Sequence, residues 1–442
     1  MPPFSLERRE SVSATGAKAK GKDSNVKRPG ITMQFDDPKK VSAYDKKAVV
    51  SRTAVARAVP LFSHLPQYER ETSLSLKLKV GFSGDEIHPA ILRLGLQYAS
   101  GSISGSNARC VAMLTALQQF IIDYRTPPHK LMRDDLLSKL KPLVRFLIDA
   151  RPQSLSMGNA IRYVKMRISK LPVQLSEARA KDALRSDIDV FIQERIEFAD
   201  EVIAAHGASK ISDGDVVLTY ATSHVVEMLL QRAHAEGKRF RVIVVDSRPK
   251  LEGKELLRRL LASGLRCTYI LINALSYVMR DVSKVFLGAA SLLSNGATIA
   301  RVGTAVVAMT AKEHNVPVLV CCETYKFHER VQLDSIGFNE LGDPDELCST
   351  ANQDGPRGNL AGAGSGAPPP VSAAAAGGVA AAVSESLSDW RDMPNLKLLN
   401  LVFDLTPVEF VTLIISEVGL VPPTSIPVIL REYSGGANEG GE

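Results

Sequence analysis

Apolar residues recur at three- and four-residue spacing from about residue 51 to residue 207, which is the spacing of amphipathic helices. Proline-containing breaks at RTPPHK, RPQS and KLPVQ divide this region, and no strand-like alternation interrupts it. The pattern therefore predicts an all-helical domain over residues 51–207.

The last predicted helix of this domain is DALRSDIDVFIQERIEFADEVIAAHG, which we expect to end at Gly207 in the left-handed conformation that often closes helices. Arg195 falls inside its predicted apolar face and is the exception to that face. Glu194 and Phe198 lie together on the flank, where they form either the rim of the core or a contact patch for another protein. The predicted apolar face consists of Leu184, Ile188, Phe191, Ile192, Ala199, Val202 and Ile203.

Short apolar segments alternate with helical patterns after residue 207, and their composition favours strands that are buried on both faces. The sequence therefore predicts a Rossmann-like, mainly parallel α/β domain over residues 208–442. Residues 349–388 are rich in Gly, Ala and Pro and are predicted to be a flexible surface insertion. The predicted strands are DVVLTYA, RFRVIVVD, LRCTYILI, KVFLGA, VPVLVCCE, LNLVFDL and IPVIL.

The length of 442 residues and the 45% hydrophobic content suffice for two domains that each bury a core. The net charge of +6 is uneven, because residues 1–57 hold thirteen Lys and Arg against six Asp and Glu. Residues 1–50 are accordingly predicted to be a disordered basic tail. RNA binding through this tail is an alternative function, but the tail contains no RNA-binding motif, and nucleic acid is not the expected partner.

The cysteines point to a reducing compartment, because none of the five forms a CxxC pair and the adjacent Cys321 and Cys322 make no easy disulfide. No metal site is expected from their spacing. The sequence contains no apolar run long enough to span a bilayer, and the amino terminus lacks the apolar core of a secretory signal. We therefore expect a cytosolic protein without a membrane partner.

The stretch LGAASLLSNGATIARVGT, residues 287–304, invites comparison with a phosphate-binding loop. It lacks the Gly-Lys-Ser/Thr of a P-loop, but Asn295-Gly296 suits a tight turn. The sequence predicts that a helix follows this turn, with Ile299, Val302, Val306 and Met309 forming its buried stripe. Its amino end, with Arg301 one turn in, is either a site that attracts an anion or simply the start of a core helix.

Catalytic groups are scarce at the predicted strand ends. Asp246 could hold a ribose hydroxyl, but the first strand-to-helix turn has no GxGxxG, which argues against a dinucleotide site. An Asp at this position more commonly caps the turn that follows it. His224, His314 and His328 have no sequence neighbours that mark a triad or a metal set. Cys321 and Cys322 close a buried strand and are expected to be core residues.

Several segments together resemble the delta members of the alpha/beta/delta regulatory subunit family of eukaryotic translation initiation factor 2B. They cover about residues 60–431, apart from the predicted insertion, and PVLVCCETYKFHERVQ and SGSNARC are the most delta-like. The wider family includes methylthioribose-1-phosphate and ribose-1,5-bisphosphate isomerases. The other segments are GLQYASGSISGSNARCVAML, VVDSRPKLEG, SNGATIARVGTAVVAMTAKEHN and NLVFDLTPVEFVTLIISEVGLVPPTSIPVILR.

The resemblance implies that this chain has lost the chemistry of the isomerases. Their catalytic Cys and Asp correspond to Ala221 and Ala290 here, so no catalytic residue and no cofactor are expected. Glu252 corresponds approximately to a Gln, and its carboxylate would repel phosphate. Arg301 is left as a lone cation beside Asn295 and Gly296 in a vestigial anion site. A sugar-phosphate isomerase stays the alternative enzymatic function.

The resemblance also implies partners. The chain would assemble with alpha, beta, gamma and epsilon subunits into the guanine-nucleotide exchange factor for initiation factor 2, with catalysis in epsilon. It would also help to distinguish the phosphorylated from the unphosphorylated alpha subunit of initiation factor 2. The candidate contact residues are Glu194, Phe198, Arg133 and Asp134. The helix after Asn295 and the segment CCETYKF are the candidate interface between α/β domains, and either could instead be core.

Overall fold

The structure, a computed structural model, describes residues 58–67, 87–172, 174–348, 387 and 390–436. These residues all belong to one compact unit, Thr53–Glu442. The predicted basic tail lies outside the described residues, as does the predicted insertion apart from Leu387. Among the helices of the described residues, none combines the length and the apolar character that crossing a bilayer requires.

The first part of the described chain is helical, as the apolar spacing predicts. Its first five helices share one apolar core, in which Met113, Leu117 and Leu140 are fully buried, whereas the buried side chains of the sixth helix join a core of the sheet. Gly95 lies where two of them cross, because a Cβ there would meet the ring of Phe146 at 2.4 Å. The helices are α1 Pro89–Ala99, α2 Ser106–Asp123, α3 Met132–Ala150, α4 Leu155–Ser169, α5 Glu177–Ile192 and α6 Phe198–Ala208.

A π-helical turn, Gln193–Glu197, joins α5 to α6 and explains the position of Arg195. One extra residue in this turn shifts the buried face, so that Phe191 is followed by Ile196 five residues later. Arg195, which an uninterrupted helix would place in the core, is therefore exposed.

The prediction that Gly207 closes the last helix in a left-handed conformation is wrong. The helix continues to Ala208, and Gly207 is not among the residues with positive φ. Gly207 is instead a close-packing position, since a Cβ there would lie 1.9 Å from Leu229 Cδ1.

A seven-stranded sheet forms the centre of the second part, with strand order β11-β10-β7-β4-β1-β2-β3. All of its pairs are parallel except β10 with β11. This is the order of a Rossmann-like sheet, and it reverses between β1 and β4. The strands of the chain are β1 Val216–Tyr220, β2 Arg241–Asp246, β3 Arg266–Leu271, β4 Lys284–Gly288, β5 Ser291–Leu293, β6 Thr298–Arg301, β7 Val318–Cys321, β8 Phe327–His328, β9 Phe403–Thr406, β10 Leu413–Ser416 and β11 Gly419–Val421.

Helices cover both faces of this sheet, which confirms the predicted fold class. One apolar cluster joins α6, α7 and α8 to side chains such as Val217, and the other joins α9, α10 and α12 to side chains such as Leu218. Adjacent residues of β1 thus enter opposite cores, as strand geometry requires. The helices are α7 His224–Ala235, α8 Gly253–Ala262, α9 Leu275–Val278, α10 Thr304–Glu313, α11 Asp345–Cys348 and α12 Ile426–Gly436.

A second sheet, of order β8-β5-β6-β9, corrects the interpretation of residues 287–304. Asn295-Gly296 is the turn of the antiparallel hairpin β5-β6, and the helix begins only at Thr304. The predicted buried stripe is therefore wrong: Val306 and Met309 are 45% and 50% exposed. The buried residues of α10 are Thr304, Val307, Ala308 and Ala311.

Two further strand predictions need correction. The segment IPVIL, residues 426–430, lies in α12 and is not a strand, and β10 and β11 come from the preceding residues 413–421. The segment LNLVFDL supplies β9, which pairs with β6 in the second sheet.

The helical part and the sheet part contact each other directly. Asn159 Nδ2 on α4 donates to the carbonyl oxygens of Tyr325 and Phe327, and Arg151 Nε donates to Glu340 Oε1 at 2.6 Å. The division of the chain into domains at residue 207 stays a prediction.

Candidate functional site

A cavity of about 260 Å³ lies at the carboxyl ends of β1 and β2, next to the point where the strand order reverses. This is where open α/β sheets bind ligands. Ala221 lines the cavity, and its backbone, at φ 54°, donates from N–H to the Val245 carbonyl at 2.9 Å. Ala290 is not part of the lining. Neither methyl group can transfer a proton, so these two positions supply no acid or base.

Arg301 lines the same cavity, but Glu252 holds its guanidinium in a bidentate ion pair. The distances are 2.8 Å from Nε to Oε2 and 2.5 Å from Nη2 to Oε1. Arg301 also stacks over the Phe403 ring at 5.7 Å. The interpretation of Arg301 as a lone cation is therefore wrong, because a carboxylate of the chain itself already neutralises it.

The amino end of α10 is likewise occupied by a carboxylate of the chain. Asp404 accepts from the N–H groups of Gly303 at 2.7 Å and Ala305 at 2.9 Å. Burial raises the pKa of Asp404 to about 6, although these donors favour its charged form. A helix amino terminus attracts anions, and here a side chain takes the place that a ligand phosphate would take.

Asn295 and Gly296 are too far from Arg301 to form one anion site with it. Asn295 Oδ1 accepts from Ala297 N–H and its Nδ2 donates to the Gln332 carbonyl, so the side chain fixes the hairpin turn. Gly296 has φ 79°, and a Cβ there would meet the Pro423 carbonyl oxygen at 2.7 Å. Arg301 lies at the far end of β6 from this turn, about 10 Å along the strand. The structure thus contradicts the predicted three-residue site.

Asp246 is a structural cap, the commoner of its two predicted roles. Its side chain is buried and accepts from Ser247 N–H at 2.9 Å and from Tyr269 Oη at 3.0 Å. The backbone N–H of Gly253, at the start of α8, is a further donor. Burial raises the pKa of this carboxyl group.

A buried polar cluster joins the helical part to the sheet through CCETYKF, whose residues are all buried, so this segment is core, the second of its two predicted roles. Lys326 Nζ lies 2.6 Å from Glu323 Oε2, and both side chains are almost fully buried. Asn107 Nδ2 on α2 donates to Glu323 Oε1 at 2.6 Å, and Asp200 on α6 adjoins the same group. The available signal was the pair of charged residues directly after the buried strand VPVLVCC. Among the described residues, no group of His, Cys, Asp and Glu side chains has the arrangement of a metal site.

The sequence model of the initiation factor 2 subunit family matches residues 102–423. The chain belongs to this family.

Family relatives fall into two functional groups. The translation initiation factor eIF2B subunit delta of Dictyostelium discoideum is 48% identical over 402 residues, which are 90% of this chain and 60% of that protein. The chain thus spans less than two-thirds of the length of that relative. A ribose 1,5-bisphosphate isomerase of Pyrococcus furiosus is 33% identical over 306 residues, which are 69% of this chain and 82% of the enzyme.

A solved structure of the family has the same fold. A chain of the tetrameric eIF2B-beta2-delta2 complex from C. thermophilum superposes with a TM-score of 0.66 at 30% identity. The match covers 82% of this chain and 99% of that chain.

In this member of the family, the predicted partner residues lie at two separate places. Glu194 lies in the π-helical turn and Phe198 begins α6, and both are exposed, Phe198 by 62%. More than half of the surface of Phe198 is therefore accessible to solvent. This exposure leaves the ring accessible to another protein.

Arg133 and Asp134 lie at the start of α3, where Arg133 Nε donates to Asp134 Oδ1 at 3.3 Å. The neighbouring Asp135 accepts from Tyr124 Oη, and Lys181 Nζ donates to the Tyr124 carbonyl. Lys181 precedes Glu194 by thirteen residues, which is about 20 Å of helix. The structure does not bring the two pairs of candidates together.

Proposed function

We propose that this chain is a non-catalytic regulatory subunit, of the delta type, of the guanine-nucleotide exchange factor for initiation factor 2. The observation that carries this proposal is the state of the ligand crevice. Ala221 stands at its edge, Glu252 neutralises Arg301, and Asp404 caps the helix that would otherwise receive a phosphate. The 48% identity to a delta subunit, against 33% to an isomerase, supports the same conclusion.

The direct test of this proposal is assembly. Co-expression with alpha, beta, gamma and epsilon subunits should give a complex whose mass includes this chain, and exchange activity should depend on epsilon. A stable, isolated monomer that turns over ribose 1,5-bisphosphate would overturn the proposal in favour of the isomerase alternative. We place the complex in the cytosol, where translation factors work.

The surface that we assign to the beta subunit lies on α9 and α10. Tyr277 is 83% exposed, and Val306 and Met309 form an apolar outer stripe on α10. Exposed apolar side chains of this number on neighbouring elements are typical of an interface core. The match to a beta2-delta2 complex supports beta as the occupant.

Replacing Met309 by aspartate should therefore abolish co-purification with the beta subunit, because an unpaired charge would enter an apolar interface. The chain itself should keep its thermal stability, since Met309 is half exposed. The control is Leu261→Asp, an equally exposed apolar residue of α8 on the opposite face of the sheet. Equal retention of beta by both variants would contradict the assignment.

Glu194 and Phe198 are proposed to contact the alpha subunit of initiation factor 2. A phosphoserine brings about −1.5 to −2 charges, which change a docking mode when charged groups lie close by. Arg133 and Asp134 belong to the same surface only if the partner spans the distance between the two pairs.

Charge reversal by Glu194→Lys should weaken inhibition of exchange by phosphorylated initiation factor 2 about tenfold or more, because a misplaced interface charge costs several kcal/mol. Assembly should be unaffected, since Glu194 is exposed. The measurement is the exchange rate of the purified complex against the concentration of phosphorylated inhibitor. Asp182→Lys, an exposed carboxylate about 18 Å earlier on α5, is the matched control. Unchanged inhibition in the Glu194 variant would remove this residue from the contact surface.

A further inference from the structure

The start of α6 is fixed to the sheet by a side chain for which the proposed function gives no role. Asp200 is 4% exposed and lies two residues after Phe198. It adjoins Glu323, which is fully buried in the segment after β7. Asn107 Nδ2 bridges the two carboxyl groups, at 2.6 Å from Glu323 Oε1 and 3.5 Å from Asp200 Oδ2.

The charges in this cluster do not balance if every carboxyl group is ionised. Lys326 is its cation, and it lies 2.6 Å from Glu323 Oε2. Glu417, after β10, is a third carboxyl group, and it accepts from Thr324 N–H at 3.0 Å. The titratable groups that interact with Asp200 are Glu323, Lys326 and Tyr325. Cys110 and Cys322 adjoin Tyr325, and Glu417 adjoins Glu323.

One oxygen of Asp200 has an unmet bonding requirement. Oδ1 is buried, and no N–H or O–H group within the described part of the chain donates to it. A buried carboxylate oxygen without a donor is costly, whereas a carboxylic acid at the same place donates a hydrogen bond itself. The neighbouring Glu323 carboxylate is the available acceptor.

We propose that Asp200 is a protonated acid that donates its hydrogen bond to Glu323, and that this bond positions the start of α6 on the sheet. The last step of the inference rests on the proposed function: the fixed start of α6 sets the position of Glu194 and Phe198 for their partner. Asp200 is thus a positioning residue. The other end of α6 is fixed independently, where His206 Nδ1 lies 3.2 Å from the Ser416 carbonyl oxygen.

The electrostatics of the site agree with this geometry. Burial, and then the Glu323 charge, raise the pKa of Asp200 to about 9. Although burial favours the neutral form of Glu323, Lys326 keeps the pKa of Glu323 below its usual value. The proton therefore belongs to Asp200 and the negative charge to Glu323.

Proton linkage gives a test that does not depend on the proposed function. The unfolded chain releases the Asp200 proton above pH ~4, but the folded chain keeps it to about pH 9. The contribution of Asp200 to the free energy of unfolding is therefore complete below pH ~4 and is lost as the pH rises towards 9. For each pH unit in this range, the unfolding equilibrium constant of the full chain should increase by a factor about ten times larger than that of the Asp200→Asn variant. Equal slopes in the two proteins would overturn the proposal.

Infrared spectroscopy provides the second readout. The native full chain at neutral pH should show the carbonyl band of a protonated carboxylic acid, and Asp200→Asn should lack it. If the two spectra are identical in this region, Asp200 is ionised and the proposal is wrong. Because asparagine keeps the size of aspartic acid and donates from Nδ2, this variant is expected to fold.

The positioning role is tested in the assembled complex. Asp200→Asn should retain inhibition by phosphorylated initiation factor 2, and Asp200→Ala should lose it at least tenfold. If both variants lose this inhibition, a neutral hydrogen-bond donor at position 200 does not position the start of α6, and the proposal is wrong. If wild-type complex shows no inhibition at all, the proposed function fails, while the pH slope and the infrared band still decide the protonation of Asp200.

Discussion

Replacing Lys326 by methionine should destabilise the folded chain by about 3–5 kcal/mol, because it leaves the carboxylate of Glu323 buried without a counter-charge. Methionine preserves most of the volume of the lysine stem, so the effect comes from the charge. The hydrogen bond from Nζ to the Ala289 carbonyl, at 3.3 Å, is lost as well. Urea-induced unfolding of the purified chain at neutral pH measures the change.

Two comparisons identify the origin of this loss. The double variant Lys326→Met with Glu323→Gln should recover part of the stability, since it removes both charges together. Lys312→Met changes an exposed lysine of α10 and should stay within about 0.5 kcal/mol of wild type. The cost of Lys326→Met should fall at acid pH, where Glu323 takes up a proton. A loss no larger than that of Lys312→Met would contradict a buried ion pair.

Gly207→Ala should destabilise the chain by about 1–3 kcal/mol, although alanine is the better helix former. The new methyl group would lie 1.9 Å from Leu229 Cδ1 and 2.7 Å from Leu229 Cγ, so α6 and α7 would have to separate. Leu229 is fully buried, so its displacement would disturb the packing around it. Urea-induced unfolding of the purified variant measures the change.

Gly158→Ala is the matched control, because Gly158 is also helical but its nearest neighbour to a new Cβ is Gln153 Nε2 at 3.5 Å. This variant should be neutral or more stable by up to about 1 kcal/mol. The same small effect in both glycine variants would show that α6 and α7 do not pack as closely as described.

The fold class could be predicted because apolar patterns determine it. β1, β2, β4 and β7 are short apolar runs that can only be buried, and their alternation with helices predicts a parallel sheet. The apolar pattern does not predict the hairpin β5-β6, although Asn295-Gly296 is a typical hairpin turn, because both strands are very short. The prediction of a strand at residues 426–430 is wrong because a short apolar run does not distinguish a strand from a buried helix.

The site was less predictable, because its contacts join residues that are far apart in the sequence. The motifs correctly indicated Ala221 at the end of β1. Nothing near Arg301 in the sequence shows that Glu252 would bind it, and Asp404 lies about a hundred residues after the helix that it caps. The exposure of Arg195 depends on a single π-helical turn, whose trace in the sequence is this one charged residue inside the apolar face. Long-range pairing of polar groups is a property of the packed chain.

The carboxyl-terminal segment has a consequence for truncated forms of the protein. Residues 390–436 supply β9 and β10, which complete the second sheet beside β6 and the main sheet beside β7. A polypeptide that stopped between residues 349 and 389 would leave both of those strands as open edges, and it would also lack the Asp404 cap. Open edges of apolar strands are templates for aggregation. A premature stop there would therefore give an aggregating product instead of a smaller working subunit.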